Sequence, residues 1–215
     1  MSFTCWVVFQ ENRLQTPCGT IAVKQNYFAR QLAKILGLLL VFCWLSQLVM
    51  AETLLLKSSK GVPFQLNKVA DGLGVPWGMV FIGPEQILFT EQNGKIGILD
   101  TVSSVITRIT GGPKVMHSGQ GGLLDVAVPR GYSQGGWIYF TYSKELQGKG
   151  VTTLARARLN GKRLVAFKDM LITNSASTTG RHFGSRITFD GTGHLFFSVG
   201  DRGVRANGQD LSTHA

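Results

Sequence analysis

Cysteine is missing from the whole of the chain after residue 51. The sequence has three cysteines, and all of them, Cys5, Cys18 and Cys43, precede Glu52. This distribution excludes a disulfide framework, a cysteine-ligated metal site and a thiol nucleophile from the remainder of the protein. A domain without cysteine is compatible with an oxidising compartment.

Charged residues are also scarce. They make up 16% of the chain, against 44% hydrophobic residues, which is a globular rather than a disordered composition. The formal net charge is +10, but no run of five like charges occurs. Proteins that bind nucleic acid cluster Lys and Arg on one face. We therefore expect no nucleic-acid partner, and read the charge as a modest preference for anionic ligands.

The N-terminal segment has the pattern of a secretory signal peptide. Arg30 and Lys34 precede the apolar run Ile35–Leu45, and Val49 and Ala51 occupy the −3 and −1 positions of a cleavage site. A membrane-retained anchor is the alternative, but the run is shorter than the roughly 20 residues that a span needs.

We therefore predict an N-terminal extension with a cleavable signal peptide over residues 1–51, and a periplasmic or secreted protein. The signal peptide itself would cover about residues 23–51. Residues 1–22 do not fit a signal peptide, and a true start at Val23 would explain them.

From Val69 onward no segment has a helical period. Short apolar runs alternate with Gly, Pro, Asn and Asp, which predicts an all-β domain. The predicted strands are Trp77–Ile82, Ile87–Glu91, Lys95–Leu99, Leu123–Val128, Trp137–Tyr142, Thr152–Leu159, Asp169–Thr173, Arg186–Phe189 and Leu195–Val199.

These strands repeat as a strand–turn–strand unit. The second strand of each unit begins at Ile87, Trp137 and Leu195, which are 50 and 58 residues apart. Propeller blades have about 40 to 50 residues and four strands, so the period favours a β-propeller over the alternative, a β-sandwich. Residues 52–215 hold about three such blades, whereas closed propellers have about four to eight. We therefore expect a partial propeller whose C-terminal half is missing, with exposed sheet edges that a homodimer would be one way to cover.

Three glycine-rich turns carry the polar residues that could do chemistry. They are HSGQGGLLD at residues 117–125, GRHFGSR at 180–186, and VGDRG at 199–203 with NGQD at 207–210. Such turns surround the central channel of a propeller, where ligands bind. Asp125 is interpreted as a strand cap, and Arg186 as pairing with an acid within the sheet rather than binding a ligand.

These segments resemble the soluble quinoprotein glucose/sorbosone dehydrogenases, including the bacterial aldose sugar dehydrogenases. The resemblance runs from Val69 to Asp210, and VPWGMVF, GQGGLLDVAV and HFGSRITFDGTGHLFFSVGDRG carry it. It implies a six-bladed β-propeller that holds pyrroloquinoline quinone (PQQ) over its channel. The function implied for the intact protein is oxidation of an aldose sugar to a lactone, with an external electron acceptor.

The resemblance also implies residue roles. His182 matches the family's catalytic base, which suits an imidazole because its pKa normally lies near neutral pH. Gln120 matches an amide that reaches both substrate and cofactor. Asp201 matches an acid that lies beside the histidine and the cofactor. Gln209 is interpreted as a substrate-side glutamine. Arg181 stands where soluble glucose dehydrogenases have an acid, which changes the sugar contact and favours a broader range of aldoses.

The resemblance places the family's basic PQQ ligands and its calcium ligands in later blades, so no metal ligand is assigned in this sequence. Two alternatives remain open. One is a propeller that opens lactones with a divalent metal, which would need converging acids and histidines. The other is a non-catalytic propeller that binds carbohydrate or protein.

Overall fold

The computed structural model describes residues 53–215, so the predicted signal peptide and the residues before it lie outside the described part. The described residues belong to two compact units, 53–69 and 70–215. No helix among them is long and apolar enough to cross a membrane.

The first unit contains one antiparallel hairpin. Strand β1 (Thr53–Lys57) pairs with β2 (Pro63–Asn67) in a register that runs from Thr53 opposite Asn67 to Lys57 opposite Pro63. Ser58 closes the turn, because its amide donates to the Val62 carbonyl and its hydroxyl accepts from the Val62 amide, at 2.9 and 3.1 Å. The predicted strands did not include this hairpin.

Residues 70–215 begin with a four-stranded antiparallel sheet in which each strand pairs with the next along the chain. Its strands are β3 (Pro76–Gly83), β4 (Gln86–Glu91), β5 (Ile96–Asp100) and β6 (Ile106–Ile109). This up-and-down order is that of a propeller blade. Strand β6 was not predicted, because its four residues, ITRI, alternate too briefly to stand out in sequence.

A second sheet repeats the same order with longer strands. It consists of β7 (Leu123–Ala127), β8 (Trp137–Leu146), β9 (Lys149–Asn160) and β10 (Arg163–Ile172). A two-stranded sheet follows, with β11 (Ile187–Phe189) and β12 (Leu195–Phe197), and then a short 3-10 helix, η1 (Arg205–Gln209). The predicted repeat is confirmed as two blades and the first two strands of a third.

The core lies between the first two blades. Side chains from alternate positions of the strands meet there, since successive residues of a strand point to opposite faces. Leu88, Leu123, Ile138 and Phe140 are fully buried, and they form one cluster with Val126 and Leu164. Each such side chain contributes about 1.5–3 kcal/mol when it is removed from water.

Buried hydrogen bonds join strands of successive blades. The Thr90 hydroxyl of the first blade donates to the Leu124 carbonyl of the second at 2.6 Å. The buried Asp125 carboxylate accepts the Ile187 amide of the third at 2.7 Å. The interpretation of Asp125 as a strand cap is therefore wrong. It lies within β7, and it serves as a link between blades because the next inner strand presents an unpaired N–H to it.

Candidate active site

Two loops bring a histidine and an aspartate into contact. His182 lies in the loop before β11, and Asp201 lies in the turn after β12. The His182 Nδ1 atom is 2.6 Å from Asp201 Oδ1, and the two side chains are 49% and 29% exposed. The residues are 19 apart in sequence, and the hairpin between them returns the chain to the same end of the blade.

Asp201 is ionised at neutral pH. The hydrogen bond from His182 is the main cause that lowers the pKa of this carboxyl group, and the backbone amide of Gly203, which donates to Oδ1 at 2.8 Å, adds to it. Arg181 contributes a smaller electrostatic effect in the same direction. A carboxylate at Nδ1 requires a proton on that nitrogen, so Nε2 of the neutral imidazole is the ring's acceptor. Nε2 has no hydrogen-bond partner within residues 53–215.

Gln120 joins the pair from the second blade. Its side-chain Oε1 accepts the backbone amide of His182 at 2.8 Å, and its own backbone amide donates to the Gly180 carbonyl at 2.7 Å. Because an N–H needs an oxygen acceptor, these contacts fix which end of the amide faces the protein. The Gln120 Nε2 group makes no hydrogen bond to any described residue, so it is a donor that a ligand can use.

Close backbone approach explains the glycines in these loops. A Cβ atom on Gly119 would collide with the Gly180 carbonyl oxygen, and one on Gly200 would collide with the carbonyl oxygen of His182. His182 itself has φ +56°, a left-handed conformation that is uncommon outside glycine. The loops around His182 are therefore held in a conformation that most residues avoid, as happens often at functional sites.

Gln92, directly after β4, supports the Gln120 turn and was not predicted. Its side-chain amide donates to the carbonyls on both sides of Gln120, those of Gly119 and Gly121, at 2.7 and 3.2 Å. Its backbone carbonyl accepts the Leu123 amide at 3.0 Å. A glutamine at the end of a strand carries no sequence signal that separates this role from ordinary solvent exposure.

The other predicted residues take different positions. Arg181 is exposed beside the pair and makes no hydrogen bond through its side chain to the described residues. Gln209 is exposed at the end of η1 and makes no hydrogen bond to His182, Gln120 or Asp201. The predicted pairing of Arg186 with an acid is confirmed, because its guanidinium lies 3.3 Å from the carboxylate of Asp125.

A second histidine–aspartate pair lies at the other end of β11. His194 Nδ1 is 2.6 Å from Asp190 Oδ2, within the turn that joins β11 to β12. Its side chains are 71% and 29% exposed, and it has no counterpart of Gln120 beside it. The predicted hairpin turn at Asp190 is confirmed by the pairing of Phe189 with Leu195.

The donors near His182 fit an anionic, hydrogen-bonding ligand. Gln120 offers an unused N–H group, and Arg181 offers an exposed guanidinium, which is suited to carboxylates. Metal ligands are less evident: residues 53–215 contain no group of three or more His, Cys, Asp or Glu side chains that could hold a metal ion. The calcium site stays a prediction.

The fold and the site together define a propeller-type protein with a histidine–carboxylate pair in its inter-strand loops. The sequence model of the glucose/sorbosone dehydrogenase family matches residues 73–215. The chain belongs to that family. The predicted fold class, the β-propeller of the quinoprotein glucose dehydrogenases with about the first three blades present, is confirmed with it.

Individual proteins agree with this assignment. The chain is 35% identical over 164 residues to an uncharacterised protein of Synechocystis and 32% identical over 145 residues to an aldose sugar dehydrogenase of Escherichia coli. These alignments cover 68% and 66% of the chain but only 40% and 39% of the relatives. The chain therefore spans about two fifths of the length of the curated relatives it matches.

Solved structures share the fold. The crystal structure of the soluble aldose sugar dehydrogenase of Escherichia coli in its apo form matches with a TM-score of 0.63 and 31% identity, over 67% of this chain and 43% of that one. The PQQ-bound aldose sugar dehydrogenase of Streptomyces coelicolor matches with a TM-score of 0.57 and 21% identity, over 77% and 46%.

Proposed function

We propose that the protein oxidises aldose sugars to lactones with PQQ as the hydride acceptor, and that His182 is the general base. One observation carries the proposal. Asp201 fixes the His182 imidazole at Nδ1, at 2.6 Å, and the ring's Nε2 atom has no hydrogen-bond partner among the described residues. Gln120 accepts the His182 amide through Oε1 and keeps its side-chain NH₂ group unbonded to those residues. Abstraction of a hydroxyl proton requires a basic atom that the hydroxyl group of a substrate can reach.

The residues of this chain account for the proton side of the reaction. Nε2 of His182 accepts the proton of the anomeric hydroxyl, and the Asp201 carboxylate stabilises the imidazolium that forms. Because His182 is about half exposed, that proton can pass on to water. PQQ held at this site would supply the acceptor for the hydride of the sugar carbon. Loss of one proton and one hydride converts the cyclic sugar to its lactone.

Gln120 and Arg181 are the residues of this chain that would hold the ligands. The Gln120 amide lies between the loops and is proposed to donate to substrate or cofactor oxygen. Arg181, exposed next to the base, is proposed to contact the sugar. Asp201 is proposed to lie close to the cofactor, and Gln209 stays a candidate for the sugar side. We further propose that the protein uses calcium and an external electron acceptor, is periplasmic or secreted, and forms a homodimer.

The relatives support the substrate class and the cofactor. The Escherichia coli relative is named an aldose sugar dehydrogenase, and the Streptomyces coelicolor neighbour is described with PQQ bound. The local chemistry agrees, because PQQ carries carboxylates and the available donors beside His182 are an amide and a guanidinium.

The test is a matched pair of histidine variants. Dye-linked oxidation of several aldoses is measured with the purified protein, added PQQ and calcium, for the wild type, His182→Gln and His194→Gln. Both variants alter a histidine that contacts an aspartate at 2.6 Å, but only His182 adjoins Gln120. We expect PQQ-dependent turnover that His182→Gln reduces about 10²–10⁴-fold and His194→Gln leaves intact. Sugar binding without turnover in the folded wild type would instead indicate a non-catalytic propeller.

A further inference from the structure

Arg202 is a deeply buried charged side chain next to the site, and the proposed mechanism does not use it. It follows Asp201 directly in the turn after β12, and it is only 1% exposed. Arginine is almost never fully buried unless it is paired. Burial lowers the pKa of its guanidinium, which nevertheless stays charged at neutral pH. A buried cation in this position needs compensating contacts.

Backbone carbonyls supply these contacts. The guanidinium donates to the carbonyl oxygens of Ser175, Gly150 and Thr179, at 3.3, 3.1 and 3.3 Å, and also to that of Arg181. No carboxylate of the described residues accepts a hydrogen bond from it. The planar fork of arginine suits this task, because it presents five N–H groups in fixed directions.

Arg202 contacts the residues on both sides of His182. It hydrogen-bonds the carbonyl of Arg181, which precedes the histidine, and its guanidinium carbon lies 3.6 Å from the ring centroid of Phe183, which follows it. Phe183 is itself buried, at 4% exposed. A cation over an aromatic face is attractive, more so when it is removed from water. In return, the Thr179 hydroxyl donates to the Arg202 carbonyl at 2.6 Å.

We propose that Arg202 is a positioning residue that holds the His182 loop and the Asp201 turn together, so that the imidazole and the carboxylate stay in contact. The inference rests on the proposed function of this pair. Its physical basis is that the rigid guanidinium of Arg202 is hydrogen-bonded to the loop that carries His182, while Arg202 directly follows Asp201 in the chain. Both His182 and Arg202 have left-handed backbones, with φ of +56° and +55°, and the contacts of the guanidinium hold both in place.

The first readout does not depend on activity. In a ¹⁵N-histidine-labelled sample of the full chain, the proton on His182 Nδ1 that is bonded to Asp201 gives a downfield resonance, assigned by its loss in His182→Gln. We expect Arg202→Met to abolish this resonance and Arg202→Lys, which keeps the charge without the planar fork, to weaken it. Ile138→Ala is the control for lost stability, because Ile138 is fully buried in the core between the blades. It should lower the melting temperature and keep the resonance.

The second readout is turnover. A displacement of about 1 Å in a catalytic group costs about 10²-fold in rate, so Arg202→Met should lower kcat by that factor with little change in KM. The inference is overturned if Arg202→Met keeps the His182 resonance at its wild-type position. If Arg202→Met does not fold, the same comparison is made with Arg202→Lys, and an unchanged resonance there overturns it too. Absence of turnover in the wild type would refute the proposed function alone, because the resonance would still decide the role of Arg202.

Discussion

The charge of Asp201 is expected to decide whether His182 can act as a base. Asp201→Asn keeps the shape of the side chain but removes the negative charge and introduces an amide that can donate to Nδ1. A donor at Nδ1 moves the imidazole proton to Nε2, and the neutral ring then has no free acceptor for the proton of the substrate. The variant should therefore fold normally and lose activity through the wrong tautomer.

The exposure of the pair sets the size of the effect. General-base catalysis contributes about 10²–10⁴-fold, and the same aspartate-to-asparagine change costs about 10⁴-fold in serine proteases, where the aspartate is buried. Here the two side chains are 49% and 29% exposed, so water replaces part of the lost interaction. We expect kcat to fall about 10²-fold, at the lower end of that range.

The pH dependence has a definite sign. The pKa of Asp201 is lowered in the folded protein, chiefly by the hydrogen bond from His182. The stability that the Asp201–His182 pairing contributes is therefore fully present at pH values above the unfolded-state pKa of about 3.9. It is lost only as the pH falls through the lower, folded-state pKa of Asp201. Wild-type activity should show no acid limb from Asp201 above about pH 4.

The assay is steady-state aldose oxidation with PQQ, for the wild type, Asp201→Asn and Asp190→Asn. Asp190 is the matched control, because it contacts His194 at the same 2.6 Å but lies in the turn at the other end of β11. Asp190→Asn should leave kcat unchanged. The reasoning would be refuted by wild-type kcat in Asp201→Asn, or by an equal loss in both variants.

Two further predictions concern the support of the site. Gly200→Ala adds a Cβ atom within 3.0 Å of three atoms of His182 and should reduce turnover about 10²-fold. Gly208→Ala, where a Cβ meets nothing within 4 Å, should have no effect, and an equal loss in both would contradict the explanation. Asp125→Ala leaves the Ile187 amide without its 2.7 Å acceptor and should lower the free energy of unfolding by about 1–3 kcal/mol. Denaturant titrations measure this change, and an unchanged midpoint would show that the link between blades contributes nothing to stability.

Most of the blade architecture could be read from the sequence. The runs that became β3, β4, β7 and β9 have apolar residues at strand spacing and glycine-rich turns between them. These signals are local, because the alternation of side chains across a strand and the backbone needs of a turn depend on neighbouring residues. The extra length of β10 was missed, since its exposed residues, such as Lys168, weaken the apolar pattern.

The supporting residues of the site were less accessible. Arg202 stood within the VGDRG segment, but arginine in a glycine-rich turn predicts exposure, and only the folded chain shows that it is 1% exposed. The link made by Asp125 depends on the amide of Ile187, which is 62 residues away. No local pattern marks a carboxylate for such a partner.

The sequence by itself determined the strands, their repeat and, through its resemblance to the family, the residues to examine at positions 120, 182 and 201. Tertiary structure decided that these residues meet. His182 reaches Asp201 across 19 residues because the β11–β12 hairpin returns the chain to one end of the blade, and it reaches Gln120 across 62 because successive blades stack. The distances of a few ångströms between these loops depend on the stacking of the blades and on the backbone carbonyls that converge on the buried guanidinium of Arg202. Both are properties of the packed chain and not of any single segment.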